Sequence, residues 1–123
     1  MIHANQVIEH IYDSDTFLSE INRCLKPGGY AIISTENASS WCNIFASIMG
    51  WQIFSLTNFY RRRAAIGNPL SLHKDKESGT SSWRHVRIYN YRGLKDYFVA
   101  CGFTIEKISG AGYFPLPSIL GNI

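Results

Sequence analysis

The chain has 123 residues, of which 46% are hydrophobic and 14% aromatic, and it carries a formal net charge of +3. This composition excludes low-complexity disorder and allows one compact domain with a hydrophobic core. Because 12 basic residues face 9 acidic ones and form no long basic stripe, nucleic acid is not an expected partner.

The N-terminal residues and the cysteines indicate a cytoplasmic setting. Residues 1–5 lack the basic region and apolar stretch of a secretory signal, and no run of about 20 apolar residues predicts a spanning helix. Cys24, Cys42 and Cys101 are far apart, and no Cys-x-x-Cys occurs, so neither a zinc site nor a disulfide framework is indicated. We expect these cysteines to be free and to pack as small apolar residues in a reducing compartment.

The first third of the chain predicts a strand, a helix and a second strand. Residues 1–8 are mostly apolar and predict the end of a strand, and Asp13-Ser14-Asp15 then supplies a helix N-cap. An apolar stripe at helical spacing runs through residues 17–25, and Pro27-Gly28-Gly29 ends the helix. The apolar run 30–34 shows no clean alternation, which predicts a strand covered on both faces, as in a parallel sheet.

The remainder predicts two further helices around a long excursion. Ser39-Ser40 predicts the cap of a helix ended by Gly50, and residues 51–82 have no sustained periodicity. A second amphipathic helix reaches Cys101 and ends at Gly102, and residues 103–108 predict another strand. The apolar face predicted for the helix before Gly50 comprises Trp41, Ile44, Phe45, Ile48 and Met49.

The order of these elements predicts an α/β domain with a largely parallel sheet. Doubly wound sheets bind their ligands beyond the carboxyl ends of the strands. Candidate site residues are therefore expected in residues 5–10, 35–37 and 110–113, which follow the three predicted strands.

Five segments also match a known family in order and spacing. They are Asn5–Ile11, with its Glu-His pair; Arg23–Gly29, which reads Arg-Cys-Leu-Lys-Pro-Gly-Gly; Ser34–Asn37; His85–Tyr89; and Ala100–Phe103. Together they resemble the later part of class I S-adenosylmethionine-dependent methyltransferases, over about residues 1–112. The resemblance implies a partial doubly wound, Rossmann-like sheet of strands four to six with flanking helices. It also implies that residues 1–123 form a single partial methyltransferase domain, in which residues 38–82 are an excursion like a cap or lid.

The departures from the family concern the cofactor. The Gly-rich turn and the acidic residues that follow the family's first two strands have no counterpart in this sequence. Residues 113–123, with Pro115 and Pro117, do not match the family's antiparallel last strand, which lies between its fifth and sixth. We therefore expect a C-terminal portion of the domain that binds S-adenosylmethionine weakly or not at all on its own. An in-frame extension upstream of Met1 with the Gly-rich turn would test this.

Glu9 and His10 are the candidate catalytic pair. A carboxylate and an imidazole beyond a strand end can orient a nucleophile or take its proton. The alternative is that Glu9 pairs locally and His10 packs under the next helix. In ubiquinone-pathway O-methyltransferases, which resemble this stretch, a Glu-x-x-Glu-His run binds a divalent metal. The first position here is Gln6, which lacks the charge that a hard cation favours, so no metal is expected.

Asn5 and Gln6 are the candidate cofactor-binding residues, because the resemblance places them near the methionine part of the cofactor. Their amides can hydrogen-bond its carboxylate or amine, although a simple turn at a strand end is an equal alternative. Asn37 is a candidate contact for the acceptor or, alternatively, a helix cap. The other candidate substrate-binding residues are Trp41, Arg84, His85 and Tyr113.

The aromatic and basic side chains of residues 41–63 and 83–85 bear on the acceptor. Residues 41–63 contain six aromatic side chains and end in Arg61-Arg62-Arg63. This composition is compatible with an apolar lid over the acceptor, a membrane-surface segment or a packed cap. Trp83, Arg84 and His85 could hold an anionic or sugar-bearing acceptor, or be one buried aromatic beside solvated charges.

The leading functional hypothesis is methyl transfer to a small or lipid-like acceptor, with this chain inactive alone. The rival is a non-catalytic interaction module, or a homodimer that completes its sheet through exposed strand edges.

Overall fold

Two short parallel strands begin the fold in a computed structural model that describes residues 1–58, 65–71 and 84–110. Strand β1 (Ile2–Asn5) pairs with strand β2 (Ala31–Ser34), with Ile2 opposite Ala31 and Asn5 opposite Ser34. Because the strands are parallel and in this register, both carboxyl ends lie at the same edge of the sheet. The predicted α/β character with a parallel sheet is therefore confirmed.

Helix α1 (Ser14–Cys24) connects the two strands and supplies most of the buried core. The Asp13 carboxylate caps it by accepting hydrogen bonds from the backbone N–H and the hydroxyl of Thr16, at 3.0 and 2.8 Å. The predicted apolar stripe is buried through Leu18 and Ile21, which form a cluster with Ile8. The partly buried residues around that cluster are Ile2, Phe17, Leu25, Ala31, Ile33, Tyr89, Tyr97, Phe98, Cys101 and Phe103.

Two helices follow β2 within the part of the chain that the structure describes. Helix α2 (Trp41–Ile48) is capped by Ser40, and helix α3 (Tyr91–Ala100) is capped by Asn90. Gly50 and Gly102 follow these helices with φ values of +69° and +85°, the left-handed backbone that glycine adopts without strain. Both predicted stops are therefore correct. Among the described residues, no helix is long and apolar enough to cross a membrane.

Two short 3-10 turns complete the described elements: Ile8–His10 follows β1, and Phe54–Leu56 follows α2. Residues 7 and 8 were predicted to be strand, and this is wrong, because β1 ends at Asn5 and the buried Ile8 lies in the turn. A single parallel bridge joins Asn37 to Tyr89, so the chain just before α3 continues the edge formed by β2.

The strand predicted at residues 103–108 does not form. The backbone N–H of Phe103 instead donates to the carbonyl of Phe98 at 3.0 Å and closes the end of α3. A strand requires a partner, and no described residue pairs with this segment. Apolar composition alone therefore did not establish a strand.

Two predicted burial patterns are also wrong. Strand β2 is not covered on both faces, since Ile32 is 48% exposed while Ala31 and Ile33 pack on the cluster shared by α1 and α3. All five residues of the apolar face predicted for α2 are exposed, and the helix instead buries Asn43 and Ala46. Cys24 is exposed rather than packed.

Candidate functional site

The two loops that follow the strands meet at the carboxyl edge of the sheet. The backbone N–H of Gln6 donates to the carbonyl of Ser34 at 3.0 Å, so the chain stays beside β2 as it leaves β1. The following 3-10 turn brings Glu9 against the loop after β2, where the Thr35 hydroxyl donates to its carboxylate at 2.9 Å. The contact joins residues 5–10 and 35–37, two of the three segments in which site residues were expected from the sequence.

A third segment, residues 84–87, joins the same edge from far along the chain. The backbone N–H groups of Val86 and Arg87 both donate to the carbonyl of Glu9, at 2.8 and 3.3 Å. The Arg87 guanidinium also donates to the Ser14 hydroxyl at 2.6 Å and to the Tyr12 carbonyl at 3.0 Å. These contacts fix the segment against the turn that carries Glu9 and His10.

The Glu9 side chain is fully buried at this junction. One of its oxygens, Oε2, accepts the hydrogen bond from Thr35, and the other, Oε1, has no hydrogen-bond partner among the described residues. A buried carboxylate oxygen without a donor is costly and in native structures is normally satisfied by a ligand, a water or an ion. Oε1 of Glu9 is therefore an available acceptor.

Two imidazoles lie beside this carboxylate. Nδ1 of His10 donates to the carbonyl of Arg84 at 2.9 Å, and Nδ1 of His85 donates to the carbonyl of Ser55 at 2.6 Å. The two ring centroids are 4.8 Å apart. One ligand atom from each ring and one from the Glu9 carboxylate all lie within 4.8 Å of one another.

A polar network positions His85 from the side of α2. The buried Asn43 amide donates to the Ser55 hydroxyl at 2.9 Å and to the Asn37 carbonyl at 3.1 Å, and it accepts from the Ser55 backbone N–H. The Ser55 carbonyl is the acceptor for His85. A second acidic group is close by, since Oε2 of Glu36 is 3.8 Å from Nδ1 of His85.

The structure brings together three of the candidate site residues, namely Glu9, His10 and His85. Arg84 adjoins them through its backbone carbonyl, and its side-chain Nε is buried without a hydrogen-bond partner among the described residues. Asn5 and Gln6 are exposed at the same sheet edge, and the Asn5 side chain accepts a hydrogen bond from the Ser34 hydroxyl.

The other candidates have different positions. The Asn37 side chain accepts from the backbone N–H of Ser39 at 2.9 Å, so it closes the turn before α2, while Ser40 is the cap. Trp41 begins α2 and is 65% exposed. Tyr113 lies outside the described residues.

Sequence reasoning missed three residues that support the site: Thr35, Asn43 and Ser55. Thr35 fell within a loop that the strand order had indicated, but nothing in the sequence linked its hydroxyl to Glu9. Ser55 lies in the excursion without periodicity, where only the fold reveals its carbonyl as the partner of His85.

A separate open groove lies between α1 and α3 and shares no residue with this cluster. The residues that line it are Asp15, Ser19, Asn22, Arg23, Ala100 and Cys101. Beside it, the Tyr97 hydroxyl donates to the Asp15 carboxylate and is also hydrogen-bonded to the Ser14 hydroxyl. Burial together with the Asp15 hydrogen bond raises the pKa of Tyr97 to about 12. This group serves the packing of α3 on α1.

The family model described as a methyltransferase domain matches residues 1–108, most of the chain. The chain belongs to the methyltransferase-domain family. Membership indicates methyl transfer as the general chemistry, and the family generally uses S-adenosylmethionine. Neither the curated proteins nor the solved structures gave a significant match.

Proposed function

We propose that this methyltransferase domain takes part in S-adenosylmethionine-dependent methyl transfer to a small or lipid-like acceptor, in the cytoplasm. The observation that supports the proposal is the cluster of Glu9, His10 and His85 at the carboxyl edge of a parallel sheet. In α/β sheets this edge is where ligands bind, and the three side chains offer both an acceptor and bases.

The residues present fit one end of the cofactor. Asn5 and Gln6 offer exposed amides at the sheet edge, where they would hold the carboxylate or amine of the methionine part. The sequence contains no Gly-rich turn paired with an acidic residue for the adenosine part. When bound, the cofactor supplies an activated methyl group.

His10 is the proposed base. Its Nδ1 donates to the Arg84 carbonyl, so in the neutral ring the proton is on Nδ1 and Nε2 presents a lone pair. Nε2 would take the proton that the acceptor loses when its oxygen or nitrogen gains the methyl group. Glu9 would orient the acceptor through Oε1, which needs a donor. The buried Nε of Arg84 would complement an anionic group on the acceptor.

The exposed face of α2 supports a lipid-like acceptor. Trp41, Phe45 and Ile48 are 65%, 48% and 77% exposed. Residues 37–73 contain no acidic residue and include Arg61-Arg62-Arg63. A membrane surface would accommodate such a face and its charge. Sedimentation with vesicles containing anionic lipid tests this, since replacing the three arginines by glutamate should abolish binding; retained binding would exclude membrane-surface contact through them.

The isolated chain is proposed to be inactive, because it offers contacts for one end of the cofactor only. Calorimetric titration of the isolated chain with S-adenosylmethionine should show no binding in the micromolar range. A micromolar affinity would contradict the proposal that the chain is inactive because it cannot bind the cofactor. The position of the site is tested separately by amide NMR at millimolar cofactor. Shifts should concentrate at residues 5–10 and 34–37; shifts confined to α3, or none, would contradict the proposed site.

A second candidate is an interaction module. Within the described residues β1 pairs with β2 alone, which leaves strand edges able to pair with another chain or a second copy. Light scattering distinguishes this candidate, because a homodimer that completes its sheet would persist on dilution to low micromolar concentration, whereas a monomer at every concentration would exclude it.

A further inference from the structure

The unpartnered oxygen of Glu9 calls for a positively charged or donating partner that the described residues do not provide. The side chain is fully buried, and among the described residues its one side-chain hydrogen bond is that from Thr35 to Oε2. In the same part of the chain Oε1 has no partner, although the two imidazoles lie beside the carboxylate. An ionised oxygen in this state is strongly disfavoured by desolvation unless a cation or a donor compensates it.

The hydrogen bonds of the two imidazoles are those of the tautomer that a metal ion requires. Both donate Nδ1–H to backbone carbonyls, at Arg84 and Ser55, and a carbonyl can only accept. The neutral rings therefore carry their hydrogen on Nδ1 and leave Nε2 with a lone pair. Metal-binding histidines are typically oriented in this way, with the second ring nitrogen donating to a carbonyl or carboxylate.

We propose that Glu9, His10 and His85 bind one divalent transition-metal ion through Oε1 and the two Nε2 atoms. Two imidazoles and one carboxylate favour ions such as Zn²⁺ over Mg²⁺ or Ca²⁺, which prefer all-oxygen sites. Ligand atoms about 2.1 Å from a tetrahedral zinc ion are about 3.4 Å apart. One ligand atom from each of the three residues already lies within 4.8 Å of the others, so side-chain rotations would assemble the site. Three protein ligands leave one position open to water or substrate.

The surrounding charge is compatible with a cation. Glu9 and Glu36 contribute two carboxylates. Residues 84–87 contribute two guanidiniums, and that of Arg87 is directed to the Ser14 hydroxyl and the Tyr12 carbonyl. Glu36 lies 3.8 Å from Nδ1 of His85, on the side away from Nε2, where it can strengthen His85 as a ligand. The proposed site differs from the Glu-x-x-Glu-His metal site considered in the sequence analysis. Gln6 is not a ligand, and the third ligand is His85, which lies 75 positions after His10 in the sequence.

The proposal concerns metal binding alone and does not depend on methyl transfer. With the ion bound, Nε2 of His10 has no lone pair for a proton, so the base role proposed above belongs to the metal-free chain. The experiment is calorimetric titration of the full chain, freed of metal by chelation, with Zn²⁺. We expect one ion per chain. Glu9→Gln, His10→Gln and His85→Gln should each weaken binding by at least about tenfold to a hundredfold. His3→Gln is the matched control, because His3 is exposed on β1 and outside the cluster, and its affinity should not change.

Two measurements keep the result unambiguous. Ring ¹⁵N NMR of the unsubstituted chain should show Zn²⁺ shifting Nε2 of His10 and His85 while Nδ1 stays protonated, a readout that does not require the variants to fold. Co²⁺ should give visible bands without a thiolate charge-transfer band, which separates this site from ligation by the cysteine thiols. Absence of binding, binding unaffected by the three cluster variants, thiolate ligation, or unshifted Nε2 atoms would each overturn the proposal.

Discussion

Replacing Thr35 by valine removes the one side-chain donor that the described residues offer to the buried carboxylate of Glu9. The Thr35 hydroxyl donates to Oε2 at 2.9 Å, and Oε1 has no partner among the described residues. Valine has nearly the same shape as threonine, so the change leaves no cavity and isolates the hydrogen bond. A hydrogen bond to a charged group contributes about 1.5–3 kcal/mol, which is the expected loss in the free energy of unfolding at neutral pH.

The measurement is urea denaturation of the metal-free chain, with Thr35→Ser as the matched control. Serine keeps the donor and loses one methyl group, so it should cost about 0.8 kcal/mol or less. Repeating Thr35→Val in a Glu9→Gln background should reduce its cost to about 0.5–1.5 kcal/mol, because the remaining bond joins neutral groups. Equal costs for valine and serine, or a valine cost unchanged by Glu9→Gln, would refute the role assigned to the hydroxyl.

Three further expectations follow from the described contacts. Asn43→Leu should lower the free energy of unfolding by about 2 kcal/mol in urea, because it removes the buried partner of the Ser55 backbone N–H and hydroxyl, whereas Ser47→Ala nearby should cost far less. Tyr97 should titrate near pH 12 when followed by ultraviolet absorbance. Because folding raises its pKa, its contribution to the free energy of unfolding is complete below about pH 10 and is lost as the pH rises to about 12. Tyr97→Phe should not show this loss. The hydrogen bonds from Thr16 lower the pKa of the Asp13 carboxyl, so the stability that this carboxylate contributes is present above its ordinary pKa and is lost at lower pH. Asp13→Ala should lower the melting temperature at pH 7, whereas Asp13→Asn, which can still cap the helix, should largely retain it.

The sequence predicted well those features that depend on neighbouring residues. The caps at Asp13 and Ser40 and the stops at Gly50 and Gly102 all formed where expected. Each relies on a hydrogen bond or a backbone angle within a few residues, so the local sequence contains the information.

Features that depend on distant partners were predicted poorly. The apolar residues of α2 indicated a buried face, yet the helix buries Asn43, because its amide satisfies groups at Asn37 and Ser55 that no apolar side chain could. Residues 103–108 had the composition of a strand and no described partner to pair with. Hydrophobic spacing alone does not specify the partner against which a surface packs.

The composition of the candidate site depends on segments that are far apart in the sequence. The expectation that no metal binds was based on positions 6, 9 and 10 alone, because Gln6 carries no charge. In the fold, Gln6 is exposed and has a φ of +54°. The Glu9 carbonyl accepts hydrogen bonds from the backbone N–H groups of Val86 and Arg87, and these bonds bring His85 beside His10. Since Arg87 fixes that same segment to α1, the composition of the site depends on the packing of residues 84–87 as much as on the Glu-His pair itself. A test for ligands in such a fold has to compare the loops that meet at the carboxyl edge, rather than the residues within one loop.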